Sequence, residues 1–233
     1  MIVTEFSQIQ KGYNIKVLEA IILDFNGVVI SDEEYHRESW RRFVKELGIE
    51  LTEKELQKNV FGKRESEIFP FLLNREVSEV EVENLSAKRN KIVYELEGKL
   101  LPVPGVEEFI RKVKREKIPL GLATNSRRSY LNHVLNEFQI EDAFDVIVTA
   151  EDVTIGKPDP QIYLKTAKLL HSNPKNCLVF EDSLHGIEAA KNTEMKVIAL
   201  TTTIKDKNLL IQADRVIHNF YEVSLEECKE FFK

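Results

Sequence analysis

The stretch Ile21-Ile22-Leu23-Asp24-Phe25-Asn26-Gly27-Val28-Val29 ends an apolar run on one acidic residue and follows it with a glycine-containing turn. The run from Val17 to Leu23 is mostly apolar and lacks the alternation of a strand with one wet face. It suits a strand buried on both faces, as in a parallel sheet. Similar runs recur at Ile118 to Ala123, Phe144 to Val148, Cys177 to Phe180, Val197 to Leu200 and, more weakly, Asp214 to Ile217. Helical patterns lie between them, at Val106 to Lys117, Ser129 to Phe138, Pro160 to Leu170 and Gly186 to Asn192. Strand alternating with helix predicts an α/β fold with a doubly wound, Rossmann-like parallel sheet.

One segment interrupts the alternation. Between about Ser31 and Leu100 almost nothing reads as strand, and amphipathic helical patterns run at Glu34 to Leu47, Glu53 to Asn59, Arg64 to Leu73 and Glu79 to Leu96. Roughly 70 residues is far longer than an ordinary crossover. The segment therefore reads as a helical cap, residues 31–100, inserted into a core made of residues 1–30 and 101–233. Pro102 and Pro104 punctuate the return to the core.

Charge and composition exclude several partner classes. The 233 residues carry 33 Lys and Arg against 39 Asp and Glu, a net charge of -6. Nucleic acid and anionic membrane surfaces both call for concentrated positive charge, so neither is expected as a partner. No apolar run approaches the ~20 residues of a membrane span. The opening MIVTEFSQIQKGYNIK lacks the basic and apolar regions of a signal peptide. Two cysteines, Cys177 and Cys228, are too few for a disulfide framework. The expectation is a reduced, cytoplasmic protein, a monomer or a homodimer.

Four segments carry residues able to do chemistry. Asp24 stands where ligands bind in open α/β sheets, beyond a strand's carboxyl end. A carboxylate there can attack an electrophile, hold a cation, or simply cap a turn. Thr124-Asn125-Ser126 follows a second buried run and precedes a helix, an arrangement that suits a phosphate or an ordinary helix cap. Lys157 lies in Gly156-Lys157-Pro158-Asp159-Pro160, whose prolines restrict the backbone and so the direction of the lysine. Glu181 and Asp182 end a third buried run; adjacent acids there invite a hard cation such as Mg²⁺ or act at the start of a helix.

Taken in order, Asp24, Thr124, Lys157 and Glu181-Asp182 resemble the four motifs of the haloacid dehalogenase-like superfamily across about residues 17–220. The Glu-Asp pair followed by Gly186-Ile187-Glu188-Ala189-Ala190 is similar to its β-phosphoglucomutase and small-molecule phosphatase branch. So are Glu34-Tyr35-His36, Trp40 and Gly62-Lys63-Arg64-Glu65-Ser66 in the cap. The resemblance implies that Asp24 attacks phosphorus and forms an aspartyl-phosphate. Thr124, the N–H of Asn125, the Ser126 turn and Lys157 would hold the phosphoryl group. Mg²⁺ would be held by Asp24, the main-chain carbonyl of Asn26, Glu181 and Asp182. Arg64 and Lys63 would reach from the cap to the distal part of a small phosphorylated metabolite, expected to be a sugar phosphate. His36 would line the cleft or serve the hinge. Trp40 is expected in the cap core or cleft wall, Arg127 and Arg128 in solvent, and Cys177 buried and inert.

One residue departs from the pattern. Phosphatases of the superfamily carry a second Asp two residues after the nucleophile, as acid and base; here that residue is Asn26. A carboxamide has no proton to exchange in this range. Asn26 is then an introduced substitution that slows turnover, a feature of a natural specialised enzyme, or the mark of a protein that binds a phosphometabolite without turning it over. A β-phosphoglucomutase-like phosphotransferase is the alternative enzyme. Restoring Asp at 26 is expected to raise turnover by roughly 10²–10⁴-fold, the usual range of general acid–base catalysis.

Overall fold

The computed structural model describes residues 17–60, 63–96 and 100–233. The opening segment read above for a signal peptide lies, up to residue 16, outside the described residues, as does Gly62 of the cap motif.

Six parallel strands form the central sheet: β1 (Ala20–Leu23), β4 (Leu120–Ala123), β5 (Val146–Val148), β6 (Cys177–Glu181), β7 (Lys196–Leu200) and β8 (Arg215–Ile217), in the order β5-β4-β1-β6-β7-β8. Every residue of β1 is fully buried. Ile21 and Leu23 face one apolar cluster, with Phe109, Leu131 and Phe180; Ala20 and Ile22 face the other, with Ile162, Tyr163 and Ile187. Both faces of the strand are thus covered, and the sequence shows a continuous apolar run. The core helices are α5 (Val106–Arg115), α6 (Arg128–Phe138), α7 (Gln161–Leu169), α8 (Leu184–Lys191) and the short α9 (Leu225–Glu230). Helix α8 starts two residues before the expected Gly186, because Ser183 caps it by accepting from the Gly186 N–H.

Four helices stand between the first core strand and the return to it: α1 (Glu33–Glu46), α2 (Glu53–Asn59), α3 (Glu65–Leu73) and α4 (Glu79–Leu96). They enclose an apolar cluster of their own, with Trp40, Phe43, Leu56, Phe69, Val82 and Ile92. A separate core is what lets such an insertion hold its shape as a cap. Its stem is a two-stranded antiparallel pair that the sequence did not reveal, β2 (Ile30–Ser31) with β3 (Leu101–Pro102). Strands of two residues, one containing proline, carry no periodic signal. Among the described residues, no helix is long and apolar enough to cross a membrane.

The chain runs from β1 outward through β4 to β5, then crosses back to β6 on the other side of β1. That reversal opens a crevice at the strands' carboxyl ends, and Asp24, Thr124 and Asp182 each directly follow a strand there.

Candidate active site

Asp24 is anchored to the sheet, its N–H donating to the Phe180 carbonyl at 3.0 Å. The loop after it turns through Gly27 at φ 74°. A side chain at that glycine would place its Cβ 1.8 Å from Asp182 Oδ2, so the glycine admits the second acidic strand end to the first.

Lys157 joins these elements. It is 2% exposed, and its Nζ donates to Asp24 Oδ1 at 2.6 Å, Glu181 Oε1 at 2.7 Å and the Ala123 carbonyl at 3.0 Å. The ammonium also sits 4.8 Å above the Tyr163 ring centroid. Its N–H donates to Asn125 Oδ1 at 3.2 Å, which ties the lysine loop to the Thr124 loop. Thr124 is buried beside them and accepts from the Ser126 N–H at 3.0 Å.

Glu181 is saturated with donors. Oε1 accepts from Lys157 and from the Tyr163 hydroxyl at 2.8 Å; Oε2 accepts from the N–H groups of Asp182 and Ser183 and from the Ser183 hydroxyl, at 2.8, 3.0 and 3.0 Å. Burial pushes its pKa up, but Lys157 and these hydrogen bonds outweigh that and hold it below the usual value. Asp24 and Asp182 fare differently. Burial pushes Asp24 up to about 7 despite Lys157. Burial first, then the charges of Glu181 and Asp24, hold Asp182 well above the ordinary carboxylate range. The hydroxyl of Thr203 is shared between Asp182 Oδ2 and Glu33 Oε2, and its one proton can satisfy only one of them.

This donor set fits a hard divalent cation. Oxygens of Asp24, Glu181 and Asp182 lie within 4.8 Å of one another. With all three carboxyls ionised, the one ammonium beside Asp24 and Glu181 would leave an excess of two negative charges. Such an excess is costly in a buried site, and a divalent ion would offset it. If Glu181 joined the coordination, it would do so at the expense of one of the hydrogen bonds it now makes.

Asn26 and His36 both line the cleft between cap and core, a space of about 680 Å³. Asn26 accepts from the Ser126 hydroxyl and donates to Asp32. His36 Nε2 lies 3.0 Å from the same Asp32 oxygen. Trp40 is 4% exposed, in the cap core and the cleft wall together.

Arg64 is not among the residues that line the cleft. Its guanidinium donates to the main-chain carbonyls of Thr154, at 2.9 Å, and Ala150, fastening the start of α3 to the core. The stem lies so close over Gly156 that a Cβ there would meet Arg64 Cδ at 2.2 Å. The guanidinium is thus engaged with main-chain carbonyls, while Lys63, the other cap residue expected to reach the substrate, does line the cleft. Arg127 also departs from the expected solvated role. It is largely buried at the junction, reaching Glu79 at 3.2 Å, Glu83 at 3.6 Å and Glu151 at 3.5 Å. Arg128 pairs with Asp152 at 2.7 Å and is half-buried. Cys177 is buried, and burial pushes its thiol up to about 12.

Asp32, Arg89, Tyr130, Tyr163 and Thr203 were not singled out from sequence. Arg89 had a signal: it falls on the stripe of α4 that buries Val82, Leu85, Ile92 and Val93, where a charge needs a partner. Asp32 passes for a helix-capping acid, yet its side chain makes no cap hydrogen bond.

A doubly wound sheet with a carboxylate, a lysine and an acidic pair at its carboxyl edge, closed by a helical cap, defines an α/β enzyme built to handle an anionic group. Comparison with known proteins narrows this. The family model for haloacid dehalogenase-like hydrolase matches residues 21–200. A phosphorylated carbohydrates phosphatase of Thermotoga maritima is 32% identical over 201 residues, spanning 85% of this chain and 93% of that protein. A β-phosphoglucomutase of Bacillus subtilis is 28% identical over 221 residues, 91% of this chain and 95% of that protein. The crystal structure of a β-phosphoglucomutase from Clostridium difficile superposes with a TM-score of 0.80 at 28% identity, over 92% of this chain and 97% of that one. The chain belongs to the haloacid dehalogenase-like hydrolases, in the branch that includes β-phosphoglucomutase, and is an enzyme of the phosphatase type.

Proposed function

We propose that this chain is a Mg²⁺-dependent phosphohydrolase that cleaves a small phosphorylated metabolite of the sugar-phosphate class through an aspartyl-phosphate on Asp24. The observation that carries the reading is the buried Lys157 ammonium, 2.6 Å from Asp24 Oδ1 in a site with excess negative charge. The lysine is where it can bind a phosphoryl oxygen as that group approaches Asp24. The name of the Thermotoga maritima relative supports the substrate class.

In this reading Asp24 Oδ attacks phosphorus. Lys157, the Thr124 hydroxyl, the Asn125 N–H and the Ser126 turn orient the phosphoryl oxygens. Asp24, Asp182, Glu181 and the Asn26 main-chain carbonyl would hold the metal, which supplies charge neutralisation between nucleophile and substrate. Residues 31–100 act as the cap that excludes water, above a core of residues 1–30 and 101–233. Asn26 cannot protonate the leaving oxygen or deprotonate the hydrolytic water, so both half-reactions are slow. The compartment we propose is the cytoplasm, and the state a monomer or homodimer.

The test is a screen of sugar phosphates and other phosphometabolites with Mg²⁺, reading phosphate release, with Asp24→Asn as control. Acid quench of the parent enzyme should trap a phosphorylated protein that hydroxylamine discharges. No release and no trapped phosphate from any compound would refute the proposal. The likeness to β-phosphoglucomutases favours one second reading, phosphotransfer. A requirement for glucose 1,6-bisphosphate would select it.

A further inference from the structure

Position 26 is enclosed on its two polar sides by different partners. On one side the Ser126 hydroxyl donates to Asn26 Oδ1. A carboxylate at 26 would accept that bond equally well. On the other side Asn26 Nδ2 donates to Asp32 Oδ2 and lies 3.1 Å from His36 Nε2. There an amide and a carboxylate are not interchangeable, because a carboxylate at 26 would turn an oxygen on the oxygen of Asp32.

Asp32 has little room to retreat. It is 0% exposed, at the junction of the cap stem and α1. The same Oδ2 accepts from the Tyr130 hydroxyl at 2.7 Å and meets His36 Nε2 at 3.0 Å. His36 is itself held, since Arg89 donates to its Nδ1. In the neutral ring the proton then falls on Nε2, which faces Asp32. Arg89 is anchored in turn by Glu65 and the Ser39 hydroxyl, each at 3.2 Å. Asp32 Oδ1 is buried with no hydrogen-bond partner. Every donor on this carboxylate therefore converges on one oxygen, and one of them is the Asn26 amide.

We propose that Asn26 and Asp32 form an exchanged pair. Asp32 is the positioning residue that fixes the Asn26 carboxamide, and the site accepts a carboxyl at 26 only when the carboxylate at 32 becomes an amide in the same protein. Asn26 is then what this site is built around, not an isolated loss of a catalytic acid. The expectation that Asn26→Asp alone restores turnover changes accordingly. Two carboxylate oxygens facing each other have no hydrogen to share, and their charges repel.

The experiment uses four proteins: the parent, N26D, D32N and N26D/D32N. Thermal unfolding is followed in EDTA at pH 7.5, and phosphate release from the best substrate of the screen is followed with Mg²⁺. N26D should lower the melting midpoint by about 5 °C or more, because the new carboxylate faces the fully buried carboxylate of Asp32. Its turnover should rise less than tenfold. N26D/D32N should regain the parent's midpoint within about 2 °C and turn over roughly 10²–10⁴ times faster than the parent. The change at 32 thus reverses sign: harmful in the parent, beneficial in the N26D background. A merely structural Asp32 would make D32N equally harmful in both backgrounds, and that result, or an N26D protein as stable and fast as the double variant, overturns the proposal. The kinetic arm rests on the phosphohydrolase reading, but the thermal cycle does not. If none of the four proteins releases phosphate, the proposed function falls while the melting midpoints still decide the exchanged pair.

Discussion

Lys157→Met keeps an apolar stem of similar length and removes one charge. The ammonium it deletes contacts Asp24, Glu181 and the Ala123 carbonyl, all buried. Three carboxylates then share the pocket with no cation among the hydrogen-bond partners described for them. Breaking a buried ion pair from one side costs about 3–5 kcal/mol, because the remaining charge is left without compensation. For a chain of 150–250 residues each kcal/mol moves the melting midpoint by about 2–4 °C, so the variant should melt roughly 6–20 °C below the parent. The assay is thermal and urea unfolding at pH 7.5 in EDTA. The origin of the loss is tested by Lys157→Met/Asp24→Asn, which removes one of the stranded carboxylates. If charge is the cause, the double variant should recover about 1–2 kcal/mol relative to Lys157→Met. Mg²⁺ should restore part of the stability of Lys157→Met, since the ion would replace the missing positive charge. A midpoint within 2 °C of the parent, or a double variant less stable than Lys157→Met, would refute the argument that Lys157 neutralises this cluster.

Asp24, pushed up to about 7 from 3.8, binds a proton in the folded state across a pH range where the unfolded chain has released it. Its contribution to stability therefore falls as pH rises from about 4 to about 7, by up to about 4 kcal/mol at 1.36 kcal/mol per unit. Urea unfolding of the parent and Asp24→Asn in EDTA should show the parent losing ground across that window, and a constant difference would contradict it. Gly27→Ala should cost both stability and Mg²⁺ affinity, measured by calorimetry, because its Cβ would fall on Asp182 in a turn at φ 74°. Arg64→Ala should speed hydrogen exchange at the start of α3 and in the Ala150–Thr154 loop, since it unfastens cap from core. Unchanged exchange there, with KM alone altered, would return Arg64 to the substrate.

The buried strands were legible because a parallel strand covered on both faces is apolar along its whole length. Cys177–Phe180 and Val197–Leu200 announce themselves with no knowledge of their neighbours. The four cap helices showed themselves equally well, through apolar periodicity alone. The polar residues ending those strands, Asp24, Thr124 and Asp182, were legible as candidates, since their place at a strand's carboxyl end follows from local pattern. Their convergence needed the sheet order that puts β1 between β4 and β6. Arg64 and Asp32 show what local pattern leaves open. A cap arginine has the same chemistry whether it meets a substrate or two main-chain carbonyls, and only packing across 86 and 90 residues of chain chose the carbonyls. Asp32 looks like one more acid before a helix until Tyr130, 98 residues away, and the cap's His36 and Arg89 close around it. Which segments are buried, and which polar residues end them, can be read along the chain, because apolar pattern and periodicity are local. Tertiary structure alone decided which charges face one another, because a hydrogen bond or an ion pair depends on a few ångströms between residues the chain keeps far apart.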